Sequence, residues 1–126
     1  MKEFKFKAWD KKNNDWFDDN EGDLYIELNG DIDFGWNGEV MDDYTDRIIL
    51  MQYTGLKDKK GVEIYEGDVL FHPLQGRRKV YYPYSERVAS YGLRNIDNGF
   101  GSTLQDSHAV WEVIGNIYEN PELLED

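Results

Sequence analysis

The sequence predicts a mainly β protein, and three observations carry that prediction. Near the start, Phe4, Phe6 and Ala8 alternate with Lys5, Lys7 and Trp9, the period-two pattern of a half-buried strand. Leu24, Ile26 and Leu28 alternate again, and Ile32, Phe34 and Trp36 do so on the far side of Asn29-Gly30, the dipeptide preferred in a two-residue type I′ turn. In the middle, Met51 to Leu70 is broken by turn chemistry at short intervals, as strands joined by tight loops require.

Taken in order, strand 4–9 is followed by the polar run Lys11-Lys12-Asn13-Asn14-Asp15, and Trp16-Phe17 returns apolar bulk, so a hairpin is the simplest connection. The Asn29-Gly30 hairpin comes next. Residues 37–46 read as a connection, in which only Val40, Met41 and Tyr44 hint at a packed helical turn. Ile48, Ile49, Leu50, Met51 and Tyr53 form a strand that Thr54-Gly55 is expected to end, leaving a loop at 54–61. Within it, Asp58-Lys59-Lys60-Gly61 has the Asp and Gly positions of a type I turn. Ile64 and Tyr65 precede a second turn at Glu66-Gly67-Asp68, and Val69, Leu70 and Phe71 resume the strand pattern.

Residues 95–101 read as a loop around Phe100. Val110 to Tyr118 reads as a central strand carrying either a bulge or a close backbone approach at Gly115. Asn120 and Pro121 have the types of a helix N-cap and first helical position, predicting a short last turn tied to the core by Leu123 and Leu124.

Composition narrows the function classes. The 126 residues include no cysteine and two histidines, His72 and His108, which excludes disulfides, thiolate metal sites and an all-histidine zinc centre. The lysines of MKEFKFKAWD are interleaved with single apolar residues, and no apolar run approaches bilayer length. A soluble, cytoplasmic protein without membrane contact is expected.

Net charge is -12, and residues 13–46 hold Asp15, Asp18, Asp19, Glu21, Asp23, Glu27, Asp31, Asp33, Glu39, Asp42, Asp43 and Asp46 with no Lys or Arg. Such a field repels phosphate backbones and argues against duplex DNA as a partner. It reads either as a solubilising face or as a surface for a basic partner, with Asp18, Asp19, Asp42 and Asp43 as its candidate residues. Neither acidic turn has EF-hand spacing: Asp23 stands where the loop from Asp18 needs its glycine, and Gly35 stands where the loop from Asp31 needs a fifth-position ligand.

Beyond Phe71 the character changes. Arg77, Arg78, Lys79, Arg87 and Arg94 lie among Tyr81, Tyr82, Tyr84 and Tyr91, a basic and aromatic segment on an acidic chain. Ordinary strand residues explain much of it. The sharper reading is a nucleotide or single-stranded nucleic-acid site built from Arg77, Arg78, Tyr82, Tyr84 and Arg87, since arginine and tyrosine together grip phosphates and stack on bases.

Three blocks then resemble a known family: Phe6-Lys7-Ala8-Trp9-Asp10-Lys11-Lys12, Leu50 to Leu70, and Val113 to Leu124. The chain is similar through them to the YopX family of phage and prophage proteins. The resemblance implies an N-terminal β portion, here 1–49, followed by an SH3-type small barrel, here 50–126, seeded by Met51 to Leu70. It implies no reaction and no cofactor. Between His72 and Ala109 the sequence departs from the common pattern, with Arg77-Arg78 and Tyr81-Tyr82-Pro83-Tyr84 in a longer, more basic insert.

Catalytic patterns do not replace that reading. Ser107 and His108 are adjacent and would point to opposite faces of a strand, and no phosphate-cradling glycine motif or nucleophile elbow is present. The expectation is a non-catalytic accessory protein of a phage-infected or lysogenic bacterial cell, binding a phage or host protein through its acidic face. The alternatives are the nucleotide or single-strand binder and an unrecognised hydrolase. Strand edges near Trp9, Trp36 or Tyr91 are compatible with a homo-oligomer.

Overall fold

The computed structural model describes residues 5–82, 91–96, 101–104 and 108–125, and its described elements are strands apart from two 3₁₀ turns, as a mainly β chain should have. By contacts the chain divides into two compact units, Lys7–Leu50 and Met51–Asp126 with Met1–Phe6.

The first unit begins with β1 (Phe6–Asp10) antiparallel to β2 (Asp15–Trp16), with Trp9 opposite Trp16 and Asp10 opposite Asp15. The connection works because Asp10, 2% exposed, turns its carboxylate onto the loop. It accepts from the Lys12 N–H at 3.0 Å and the Asn13 Nδ2 at 3.0 Å, and Asn14 takes the left-handed conformation (φ 53°) that asparagine tolerates. Arg47 donates from Nε and Nη2 to the two Asp10 oxygens at 2.8 and 2.7 Å, so the buried charge is matched by a two-pronged cation.

β3 (Asp23–Ile26), β4 (Ile32–Trp36) and β5 (Glu39–Asp43) follow as an antiparallel sheet in that order. Two expectations are corrected here. Asn29-Gly30 does not make a two-residue type I′ turn, because only Gly30 has positive φ (93°). Instead Gly30 N–H donates to the Glu27 carbonyl at 2.9 Å and Glu27 N–H to the Asp31 carbonyl at 2.9 Å. This is a three-residue loop with glycine at its left-handed position, and it leaves Leu28 at the tip, fully exposed. Residues 37–46 are also more than a connection: Asn37-Gly38 form the tight turn and β5 pairs with β4, with a bulge opposite Phe34 and Gly35. The unit is filled by aromatic rings. Phe34 stacks on Tyr44 at 4.8 Å and meets Phe17 edge-on at 6.2 Å, while Trp9 and Trp16 meet edge-on at 5.2 Å.

β6 (Ile48–Lys57) starts in the first unit and continues into the second, where Tyr53 N–H donates to the Lys5 carbonyl at 2.8 Å. Thr54-Gly55 does not end it. The backbone bulges there, with Gly55 at φ 84° and the register to β7 (Glu63–Tyr65) shifting between Tyr53 and Lys57. The loop is thus shortened to the Asp58 turn. Gly61 N–H donates to the Asp58 carbonyl at 3.0 Å, and the Asp58 carboxylate accepts from the N–H groups of Lys60 and Val62 at 2.8 and 2.9 Å. Its second oxygen accepts from Val113 N–H at 2.9 Å, pinning the turn to a strand 55 residues away in sequence.

β8 (Asp68–His72), β9 (Gly76–Tyr81), β10 (Gly92–Asn95), β11 (Gly101–Thr103) and β12 (Glu112–Asn116) form a five-stranded antiparallel sheet of order β11-β10-β9-β8-β12, curled into a half-barrel. Ile64, Leu70, Val80, Leu93, Leu104 and Trp111 fill it, each at most 2% exposed. The bulge predicted near Gly115 is present between Val113 and Gly115, but β12 lies at the sheet edge rather than its centre. Hydrophobicity marked burial of one face, which an edge strand shares. The last turn, Pro121–Leu124, is 3₁₀ with Pro at its start. Asn120 does not cap it; its Oδ1 accepts from Asn116 N–H at 3.2 Å.

Candidate partner-binding surfaces

The acidic residues of the first unit owe their positions to turns and to one edge strand. Asp18 accepts from Asn20 N–H at 2.9 Å in the turn after β2, with Asp19 exposed beside it. Asp42 and Asp43 belong to β5, all five of whose residues are exposed. Asp43 accepts from Thr45 Oγ1 at 2.6 Å and Thr45 N–H at 2.9 Å, and these bonds, the hydroxyl foremost, hold its carboxyl below the usual range. Glu27 is pushed the other way, by hydrogen bonding to and repulsion from Asp33, with Asp31 and Asp43 adding to it. Among the described residues no three acidic or histidine side chains converge as a metal site would need.

What the sequence reading missed is that this edge is also apolar. Val40 and Met41 are 62% and 67% exposed between Glu39 and Asp42. The only signal was the adjacent apolar pair Val40-Met41, masked by the acids around it. β5 thus offers an outer backbone edge that no described strand pairs, two large apolar side chains and three carboxylates.

The basic segment is arranged differently. The Arg77 guanidinium donates to the carbonyls of Leu123, at 2.6 Å, and Glu125, clamping the C-terminal turn. Arg78 lies over the Trp111 ring at 5.4 Å and donates to Ser102 Oγ at 3.1 Å, while its Nε and the Trp111 Nε1 are buried without partners among the described residues. Tyr82 is 49% exposed and packs on Tyr91 at 5.1 Å. Tyr84 and Arg87 lie outside the described residues. The structure therefore brings Arg77 and Arg78 into the fold's own contacts and leaves Tyr82 as the exposed one of the three described members.

Both histidines also serve the backbone. His108 Nδ1 is 2.6 Å from the Lys57 carbonyl, so Nδ1 carries the hydrogen there, whereas His72 Nδ1 accepts from Leu74 N–H at 3.1 Å. Ser107 lies outside the described residues. No helix among the described residues is long and apolar enough to cross a membrane.

An aromatic-filled antiparallel unit joined to a curled, SH3-type half-barrel defines the class: a small, mainly β protein whose exposed edges and turns carry its surface chemistry. The chain belongs to the YopX family, whose model, described as YopX protein, matches residues 5–125. It is similar to protein EF1440 from Enterococcus faecalis, known from a crystal structure, at 28% identity over 99% of this chain and 100% of that one, with a TM-score of 0.59. It also shares its fold with protein yopX from Bacillus subtilis, at 24% identity over 96% of this chain and 95% of that one, with a TM-score of 0.57. No curated protein matches the chain.

Proposed function

We propose that the protein acts without catalysis, as an accessory protein of phage or prophage origin that binds a basic phage or host protein through the acidic unit Lys7–Leu50. The observation that carries this is β5: a strand edge that no described strand pairs, with exposed Val40 and Met41, set in a segment, 13–46, that contains no Lys or Arg. Strand addition supplies backbone bonds, the apolar pair supplies burial, and the carboxylates Asp42 and Asp43 select a partner strand with Lys or Arg. Asp18 and Asp19 extend the same field and act on the encounter rate. The engagement of Arg77 with Leu123 and Glu125, and of Arg78 with Trp111 and Ser102, supports protein binding over a nucleotide site built on those arginines.

The test is capture of partners from host lysate, with and without phage genes expressed, by the parent protein and by Met41→Lys and Asp42→Lys/Asp43→Lys variants. The expected result is a basic protein retained by the parent and lost from both variants. Retention of every captured protein by both would refute the β5 reading.

A further inference from the structure

A carboxylate with no counter-charge among the described residues stands at the Glu66-Gly67 turn of the second unit, beside Tyr118. The turn joins β7 to β8 and is fixed by three backbone bonds: Glu66 N–H to the Gln52 carbonyl at 2.9 Å, Gly67 N–H to the Val80 carbonyl at 3.0 Å, and Ile117 N–H to the Gly67 carbonyl at 2.9 Å. The last two draw the end of β9 and the segment after β12 to the turn. Tyr82 follows Val80 by two residues, and Tyr118 adjoins Ile117. The Tyr118 ring lies against the turn so closely that a Cβ on Gly67 would stand 3.3 Å from its Cε2. Tyr82 and Tyr91 pack tilted against each other at 5.1 Å with their planes inclined by 54°, and Tyr82 is left 49% exposed.

Glu66 is half-buried, and burial alone pushes its carboxyl up. Its charge is felt by Tyr91 and Tyr118, whose hydroxyls are themselves raised, first by burial and then by Glu66. Among the described residues the carboxylate has no hydrogen-bond or ion-pair partner, whereas the buried carboxylates Asp10 and Asp58 have several each and Asp68 accepts from Tyr65 N–H at 2.8 Å. An unpaired, partly desolvated carboxylate next to π faces attracts a cation that is itself weakly hydrated and flat enough to lie on a ring.

We propose that Glu66, Tyr82, Tyr91 and Tyr118 form a subsite for a guanidinium group, the side chain of an arginine on a bound protein or peptide. The guanidinium donates in two-pronged fashion to Glu66 and stacks on the exposed Tyr82 ring, which Tyr91 backs, and Tyr118 closes the side next to Gly67. An ammonium would bond the carboxylate but hold its hydration more strongly and stack less well. The subsite lies in a different unit from β5, so it stands or falls independently of the reading above.

The experiment is an NMR titration of the full chain, following the Tyr82, Tyr91 and Tyr118 ring signals and the Glu66 side-chain carbon. The probes are N-acetyl-arginine methylamide, its citrulline counterpart of the same shape without charge, the lysine equivalent, and tetramethylammonium. The arginine amide is expected to shift these four residues with a millimolar dissociation constant, about tenfold tighter than the citrulline amide. Glu66→Gln, a change at a partly exposed turn position, is expected to weaken it by about tenfold, and Tyr82→Ala several-fold, each with an otherwise parental spectrum. An Asp42→Asn/Asp43→Asn variant is expected to keep the response in full. Equal binding of arginine and citrulline amides, shifts confined to residues 13–46, or unchanged affinity in both Glu66→Gln and Tyr82→Ala would overturn the subsite. Tighter binding of the lysine amide or tetramethylammonium would overturn its assignment to guanidinium.

Discussion

Asp58→Asn is the most revealing single substitution in this fold, because it changes one atom of a carboxylate whose two oxygens have different partners. Oδ1 accepts from Lys60 and Val62, and Oδ2 accepts from Val113. An asparagine oxygen placed at Oδ1 keeps the first two bonds, but its NH₂ then faces the Val113 N–H, donor against donor. One charge-assisted bond is lost and one backbone donor is left unsatisfied, which destabilises the second unit by about 2 kcal/mol. Asp58→Ala strands all three donors, of which those of the exposed residues Lys60 and Val62 regain water, and the loss is about 3–4 kcal/mol. For a chain of 126 residues, 1 kcal/mol corresponds to a midpoint change of about 4 °C, so the expected drops are about 8 °C and 12–16 °C.

The assay is urea and thermal unfolding of protein labelled with 5-fluorotryptophan, in which Trp111 reports the second unit and Trp9, Trp16 and Trp36 the first. The sign with pH can be stated in advance. Burial pushes the Asp58 carboxyl up, but the bonds from Val113, Val62 and Lys60 together with the Lys60 charge hold it below its ordinary 3.8. Its folded value is therefore the lower one, and its contribution is complete above the ordinary range and fades as pH falls through the folded value. The deficit of Asp58→Asn should shrink below about pH 4. An asparagine variant within about 0.5 kcal/mol of the parent at pH 7, or one as unstable as the alanine variant, would refute the two-sided account of the carboxylate.

Three further outcomes follow from the same geometry. Asp10→Ala leaves Arg47, whose side chain is 22% exposed, without its partner and should destabilise the first unit by about 3 kcal/mol, read from the Trp9 and Trp16 fluorine signals; a change under about 1 kcal/mol would contradict it. Gly67→Ala should cost more than Gly61→Ala, because both sit at positive φ (90° and 82°) but only at Gly67 would the new methyl meet Tyr118 and Met51, and equal midpoints would refute that. Arg77→Ala should abolish hydrogen-exchange protection of the Glu125 amide while leaving Leu70 and Val80 protected, whereas loss across the core would show that Arg77 does more than clamp the last turn.

How much of this was legible in the sequence depended on how local the cause was. The Asp58 to Gly61 turn could be read directly, because its donors and acceptor lie within four residues, yet the bond from Val113 that completes it could not. β5 was hidden because its strand character comes from pairing with β4, and its apolar residues face outward, against the pattern of a buried face. Thr54-Gly55 carried a real signal for positive φ, but a bulge and a strand end share that signal. Arg77 and Arg78 looked available for a ligand because their partners, Leu123, Glu125, Trp111 and Ser102, are 24 to 48 residues away. Of the candidate site residues, position in the chain was readable and engagement was not.

The charge on β5 has a consequence for how copies of this protein treat one another. An unpaired strand edge is a template for its own kind, and two β5 edges placed antiparallel would set Glu39, Asp42 and Asp43 of one chain against those of the other, with no Lys or Arg on the strand itself to separate them. Like charges a few ångströms apart across a ladder make that pairing self-avoiding, while a strand of opposite sign meets no such barrier. The guard is acid-labile and salt-screened. On β5 itself, hydrogen bonds from Thr45 hold the Asp43 carboxyl below the usual range, so it keeps its charge further into acid than an unbonded aspartate would. Self-association through this edge should therefore stay low at neutral pH and rise once the strand's own carboxylates take up protons.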